Sequence, residues 1–165
     1  MKRALLILIV ALGGCATGYQ TGKHFTGGFE ETALAPNIYR VRFEGNGYTS
    51  EARAEDLALL RSADLTLQKG FKYFGLADAS SSSSISSYRT PTTTTTNATA
   101  NVYGNSIYGT ATSTTYGGNL MFVSKPSAVN LVVMMNEKPE GGLVFDAAFI
   151  CGSLGPKYKA VCGVK

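Results

Sequence analysis

A chain can do chemistry only through a few kinds of side chain, and here the supply is thin. A single histidine, His24, occurs among 165 residues. A Ser-His-acid arrangement therefore has one candidate base, and it sits in a Gly-rich stretch before the first clear periodic element. Paired acids occur at Glu30-Glu31 and Glu55-Asp56. Adjacent acids on a helix point in different directions, and on a tether they are solvated, so neither pair reads as a general acid with its base. Gly45-Asn46-Gly47 could offer backbone N–H groups to an anion, but it lacks the spacing of a dinucleotide or P-loop fingerprint. The expectation is a chain that is not an enzyme, with no catalytic residue, metal or cofactor. The alternative is a hydrolase acting on an envelope polymer, which would need carboxylates and hydroxyls gathered in one concave pocket.

The cysteines say more. Lys2 and Arg3 precede nine apolar residues, Ala4 to Leu12, and then Gly13-Gly14-Cys15. A short positive region, an apolar run and small residues form a secretory signal. As a helix the run would span about 13 Å, too short for a hydrocarbon core of about 30 Å. Leu12-Gly13-Gly14-Cys15 resembles the bacterial lipobox, which implies diacylglycerol on the Cys15 thiol, cleavage before it and acylation of the new amino group. Two or more acyl chains anchor stably where one does not. Ala16, rather than aspartate, follows the cysteine, which by the same resemblance implies the outer membrane, facing the periplasm. Residues 1–14 are thus expected to be a lipoprotein signal peptide and 15–36 a lipidated, Gly-rich tether.

Cys151 and Cys162 remain. Ten intervening residues exclude a Cys-x-x-Cys redox site. In an oxidising periplasm an even pair reads as a disulfide, worth roughly 3 kcal/mol by loop-closure entropy. Two buried free thiols are the alternative. The net charge falls from +4 to +2 once Lys2 and Arg3 leave, with no dense basic patch, so no nucleic-acid partner is expected.

The elements that would carry these residues come next. The mature chain of about 150 residues can form one domain with its own core, expected over 37–165. Tyr39, Val41 and Phe43 alternate with Arg40 and Arg42 as in a half-buried strand. After the Gly45-Asn46-Gly47 turn, a helix is expected from about Ser50 to Lys69, with Gly70 as its stop. Its apolar residues fall on two faces, Ala54, Leu57, Ala58 and Leu65 on one, and Leu59, Leu60, Ala63 and Leu67 on the other. Arg61 sits in the first face. Its simpler reading is a packed stem with a head that reaches water or pairs with a carboxylate. The sharper one is a buried ion pair or ligand contact. Phe71 to Asp78 reads as a further strand.

Residues 80–118 form a low-complexity Ser/Thr insertion whose only charge is Arg89. Ala98 to Thr112 is nearly mirror-symmetric about Gly104-Asn105, a hairpin signal between Tyr- and Thr-rich runs. A projecting hairpin is expected, with Ser80 to Asn97 as a disordered or mobile arm. Tyr103, Tyr108 and Tyr116 then become candidate binding residues, since tyrosine offers amphipathic contact area at low entropic cost. Ordinary exposed β-structure is the competing reading. Beyond Gly118, Leu120–Val123 and Leu131–Met135 read as two strands, and Val144–Leu154 as a short helix ended by Gly155-Pro156, or a strand. The fold class is α+β: an antiparallel or mixed sheet of four or more strands, with one long helix packed on a face.

Asn37-Ile-Tyr-Arg-Val-Arg-Phe-Glu-Gly-Asn-Gly-Tyr-Thr-Ser50, followed by Leu57-Ala-Leu-Leu-Arg-Ser-Ala-Asp64 and Gly70-Phe-Lys-Tyr-Phe74, resembles the proteobacterial lipoproteins of the CC0125/CC1285 family. The similarity extends weakly to Phe145-Asp146-Ala147 and Leu154-Gly-Pro-Lys-Tyr158 and omits the Ser/Thr segment. It implies an anchor and a compact domain and brings no activity. The resulting expectation is a lipid-anchored envelope protein with a non-catalytic binding or structural role. Its partner would be an envelope protein or a glycan.

Overall fold

The computed structural model describes residues 16–22 and 26–163. The signal peptide, Cys15 and His24 lie outside the described residues. The chain divides into two compact units, one formed by residues up to 84 together with those from 124 onward, and one by 85–123. Among the described residues the architecture is mixed α+β, with antiparallel sheets and two helices.

The first unit is built on a five-stranded sheet in the order β1-β2-β6-β3-β7, with β1 Gly28–Ala35, β2 Ile38–Glu44, β3 Tyr73–Arg89, β6 Leu120–Met135 and β7 Val144–Asp146. Strands β3 and β6 run on into the second unit, where β4 (Thr92–Tyr103) and β5 (Ser106–Gly117) form a separate two-stranded sheet. On β2 the alternation reads directly onto the pleat: Tyr39, Val41 and Phe43 are buried while Arg40, Arg42 and Glu44 are exposed. From Pro126 to Met134 every second residue of β6 is buried on the same core. Antiparallel pairing of Val41 with Asn130 and Phe43 with Ala128 places these faces together. Phe43, Phe74, Leu57, Leu60, Met134, Val41 and Val132 are fully enclosed, each contributing about 1.5–3 kcal/mol by leaving water.

Helix α1 spans Glu51–Gln68. The Ser50 Oγ accepts from the Arg53 N–H at 3.2 Å, and Glu51 complements the positive helix end. At the other end Gly70, with φ 83°, takes the left-handed turn that a side chain would resist. Between Leu57 and Thr66 nearly all positions are buried, because sheet, second helix and N-terminal segment enclose α1 on several sides. Its two buried hydroxyls donate back to the helix, Ser62 Oγ to the Ala58 carbonyl and Thr66 Oγ1 to that of Ser62, so burial leaves them satisfied.

The structure departs from the sequence reading in four places. The stretch expected as tether contains an ordered edge strand, β1, and ahead of it Thr17 is buried and bonded. The cause lies in Gly27 and Gly28. With φ of 74° and 139°, they fold the preceding segment onto β1, and a Cβ on Gly27 would stand 2.3 Å from the Glu44 carbonyl oxygen. Second, Ser80–Asn97 forms no arm, since β3 continues to Arg89 and β4 begins at Thr92. Its serines and threonines satisfy their backbone in ladders. Third, Leu120–Met135 is one strand. Pro126 is tolerated because its missing N–H faces β2 one residue beyond the last pair, Glu44 with Ser127, while its carbonyl accepts from Gly45. Fourth, the second helix, α2, covers Ala147–Tyr158 and passes through Gly155-Pro156. Pro156 falls in its last turn, where it removes the bond to the carbonyl of Gly152, an exposed residue, and Lys159 in the left-handed region ends the helix.

Candidate functional site

The most chemically dense place among the described residues is centred on Arg61. Burial leaves 9% of its side chain exposed. Its Nε and Nη2 donate to the two carboxylate oxygens of Glu31 at 2.7 and 2.8 Å, and Nη1 donates to Asp64 Oδ2 at 2.7 Å. Beneath the guanidinium lies Phe29, whose ring centroid is 4.3 Å from Cζ, a favourable cation–π arrangement. Asp64 is more buried still. Its Oδ2 also accepts from the Tyr19 hydroxyl, while Oδ1 accepts from Gln68 Nε2 at 3.1 Å and the Gly163 N–H at 2.8 Å. Of the two readings of Arg61, the buried ion pair is the one observed.

The local chain explains the assembly. Arg61 and Asp64 are three residues apart on α1 and so share a face. Glu31 arrives from β1, Tyr19 from the segment folded back by Gly27-Gly28, and Gly163 from the chain after the disulfide. Burial first, and then the bond to Asp64, raises the Tyr19 phenol above the usual tyrosine value. Burial works against the Arg61 charge, yet the bonds to Glu31 and Tyr19 outweigh it and hold the group more firmly protonated than free arginine. A groove of about 670 Å³ opens beside the cluster, lined by Thr21, Gly22, Phe29, Glu30, Glu31, Thr32, Arg61 and Gln68. Two carboxylates, Glu30 and Glu31, and two hydroxyls, Thr21 and Thr32, line it. However, both Glu31 oxygens are committed to Arg61 and each Asp64 oxygen already accepts two donors. The arrangement acts as a clamp on the N- and C-terminal segments and does not leave these acids as free bases.

A disulfide joins Cys151 and Cys162, with Cα atoms 6.1 Å apart. Both cysteines pack against the core cluster around Phe43, Leu57 and Leu60, so the bond ties the tail to α2 close to the Gly163 contact. A second recess of about 240 Å³ lies between α1 and the sheet, walled by Leu59, Leu76, Ala79, Ala128 and Phe145, with Glu55 and Asn130 as polar lining. Asn130 donates to Ser62 Oγ at 3.3 Å.

In the second unit, β4 and β5 pair antiparallel from Thr92 with Gly117 to Tyr103 with Ser106. Gly104, at the first central position of the connection, has φ 59°, as a II′ turn requires. All residues of both strands are exposed. The register puts Tyr103, Tyr108 and Tyr116 on one face, 71%, 67% and 69% exposed, so none is a core residue. Tyr103 and Tyr108 are diagonal neighbours about 7–8 Å apart, whereas Tyr116 lies some 27 Å along the strand from Tyr108 at ~3.4 Å per residue. Two of the three tyrosines are therefore brought together, and the third belongs to a longer strip of threonine and asparagine.

Sequence reading missed Thr17, Tyr19, Glu31 and Asp64. The Arg61-Ser-Ala-Asp64 spacing was a usable signal for one ion pair. Nothing local announces Glu31 or Tyr19, which reach the site only through strand pairing and the glycine fold-back. Comparison with models of known protein families, with curated proteins and with solved structures returns no match for this chain.

Proposed function

We propose that this chain is a lipid-anchored envelope protein with a non-catalytic binding or structural role, held on the outer membrane and facing the periplasm. The observation that carries the proposal is the apolar run ending at Leu12-Gly13-Gly14-Cys15, whose length and flanks suit a cleaved, lipid-modified signal rather than a span. Among the described residues no helix is long and apolar enough to cross a membrane. The resemblance to the CC0125/CC1285 lipoproteins supports the same reading.

The structure adds how such an anchor would act. Thr17, two residues after Cys15, is 3% exposed. Its N–H donates to Thr49 Oγ1 at 3.1 Å, its hydroxyl to the Thr26 carbonyl at 2.8 Å, and its carbonyl accepts from Arg53 Nε at 3.0 Å. A lipid on Cys15 would therefore hold the five-stranded unit at the bilayer surface through a two-residue lead. The hairpin β4–β5, with its tyrosine face, is the surface proposed to meet an envelope protein or glycan. A photo-crosslinking amino acid at Tyr108, and in a control at the equally exposed Tyr48 of the first unit, tests this in growing cells. An adduct from Tyr108 alone, recovered with outer membranes, is expected. Equal adducts from both sites, or none from Tyr108, would refute the assignment of the binding face.

A further inference from the structure

The face of the β4–β5 ribbon opposite the tyrosines has a different chemistry. Along it the cross-strand pairs run from Val102 with Ile107 at the tip, through Ala100 with Gly109 and Ala98 with Ala111, to Thr96 with Ser113 and Thr94 with Thr115. Val102 and Ile107 are 68% and 72% exposed, with no third strand or helix over them in their own unit. A two-stranded ribbon exposed on both faces is at best marginal in water and gains stability when a layer covers one face. Thr94 bonds Thr115 at 2.9 Å and Thr96 bonds Ser113 at 2.8 Å, so one hydroxyl of each pair already donates across the strands, and the other needs an acceptor from whatever layer covers it.

We infer that this face binds a second copy of the same chain, the two ribbons stacking in opposite directions about a two-fold axis. Two properties single out that occupant. First, Thr90 to Ser124 contains no Asp, Glu, Lys, Arg or His. Identical ribbons therefore meet without like-charge repulsion, and the edges lack the lysines that natural sheets use to forbid such contacts. Second, the face is complementary to itself. Reversing one copy over the other sets the bulky Val102–Ile107 pair against Thr92–Gly117 and the Ala/Gly pairs against the Thr and Ser pairs. Each layer then combines a smaller pair with a larger one, as an isologous contact demands. Twelve residues at ~3.4 Å give a ribbon about 40 Å long, and two strands about 10 Å of width. The stack covers about 400 Å² on each copy, roughly 800 Å² in total, which places it among weak, concentration-dependent contacts.

This inference does not rest on the lipid anchor or on the tyrosine face. Sedimentation velocity of the full chain in detergent, across a wide range of concentration, tests it. A reversible monomer–dimer equilibrium is expected. Ala98→Lys and Ala98→Glu should each weaken it at least about tenfold, and an equal mixture of the two should restore it. Thr112→Lys, one residue from Ala111 but on the tyrosine face, should leave it unchanged. A monomer at every concentration would overturn the inference. So would equal loss from Ala98→Lys and Thr112→Lys, which would point to edge pairing. A mixture that fails to recover would overturn the two-fold stack.

Discussion

Replacing Asp64 with asparagine should be among the most damaging isosteric changes in this protein. The carboxylate is nearly enclosed and accepts from four donors: Arg61, Tyr19, Gln68 and the Gly163 N–H. An amide of the same shape replaces one acceptor atom with a donor. Whichever way it is turned, two of the four donors then face an NH2 group. Arg61 is left with Glu31 alone, whose side chain is 32% exposed. Removing one partner from a buried pair costs about 3–5 kcal/mol, against a total stability of about 5–15 kcal/mol for a domain of this kind. With a urea m-value of about 2 kcal/mol/M, the midpoint should fall by about 1.5–2.5 M. Equilibrium denaturation followed by far-UV circular dichroism, with the disulfide intact, measures it. A loss below about 1 kcal/mol for Asp64→Asn would refute the picture of a desolvated clamp.

Other consequences follow from the same contacts. Tyr19 is raised above its ordinary value of 10.0 by burial and the Asp64 bond. Its contribution is therefore fully present below about pH 10 and is lost as pH rises through the folded value, so Tyr19→Phe should flatten the alkaline arm of the stability–pH curve. Replacing Cys151 and Cys162 together with serine should lower stability by about 3 kcal/mol in calorimetry; no change would mean the tail is held by Asp64 and packing alone. Gly27→Ala forces a Cβ to within 2.3 Å of the Glu44 oxygen at φ 74°, and should cost at least about 2 kcal/mol. It should also expose the segment before β1 to limited proteolysis.

Legibility in the sequence followed the range of the interactions. Alternation at Tyr39, Val41 and Phe43 is local, so the sheet of an α+β protein could be read from it. The pairing of Cys151 with Cys162 followed from count and spacing. Gly27 and Gly28 looked like tether residues because their role is set by the Glu44 carbonyl and the Gln20–Gly22 backbone, partners distant in sequence or defined only by the fold-back. Pro126 looked like a break because a proline's tolerance depends on which side of the strand lacks a neighbour. The Ser/Thr run 80–97 looked unstructured because hydrophobic patterning is absent where both faces of a ribbon meet water. For the site, Arg61 stood out as a charge on an apolar face. Its partners Glu31 and Tyr19 could be assigned only once β1 had a place in the sheet.

The most direct measurement is metabolic labelling with an alkyne palmitate analogue, comparing the native chain with Cys15→Ala and separating inner from outer membranes. Label on the native chain alone, in the outer-membrane fraction, is the expected result. Lipid on Cys15→Ala, or a native chain that stays soluble and unlabelled, would contradict the anchored reading.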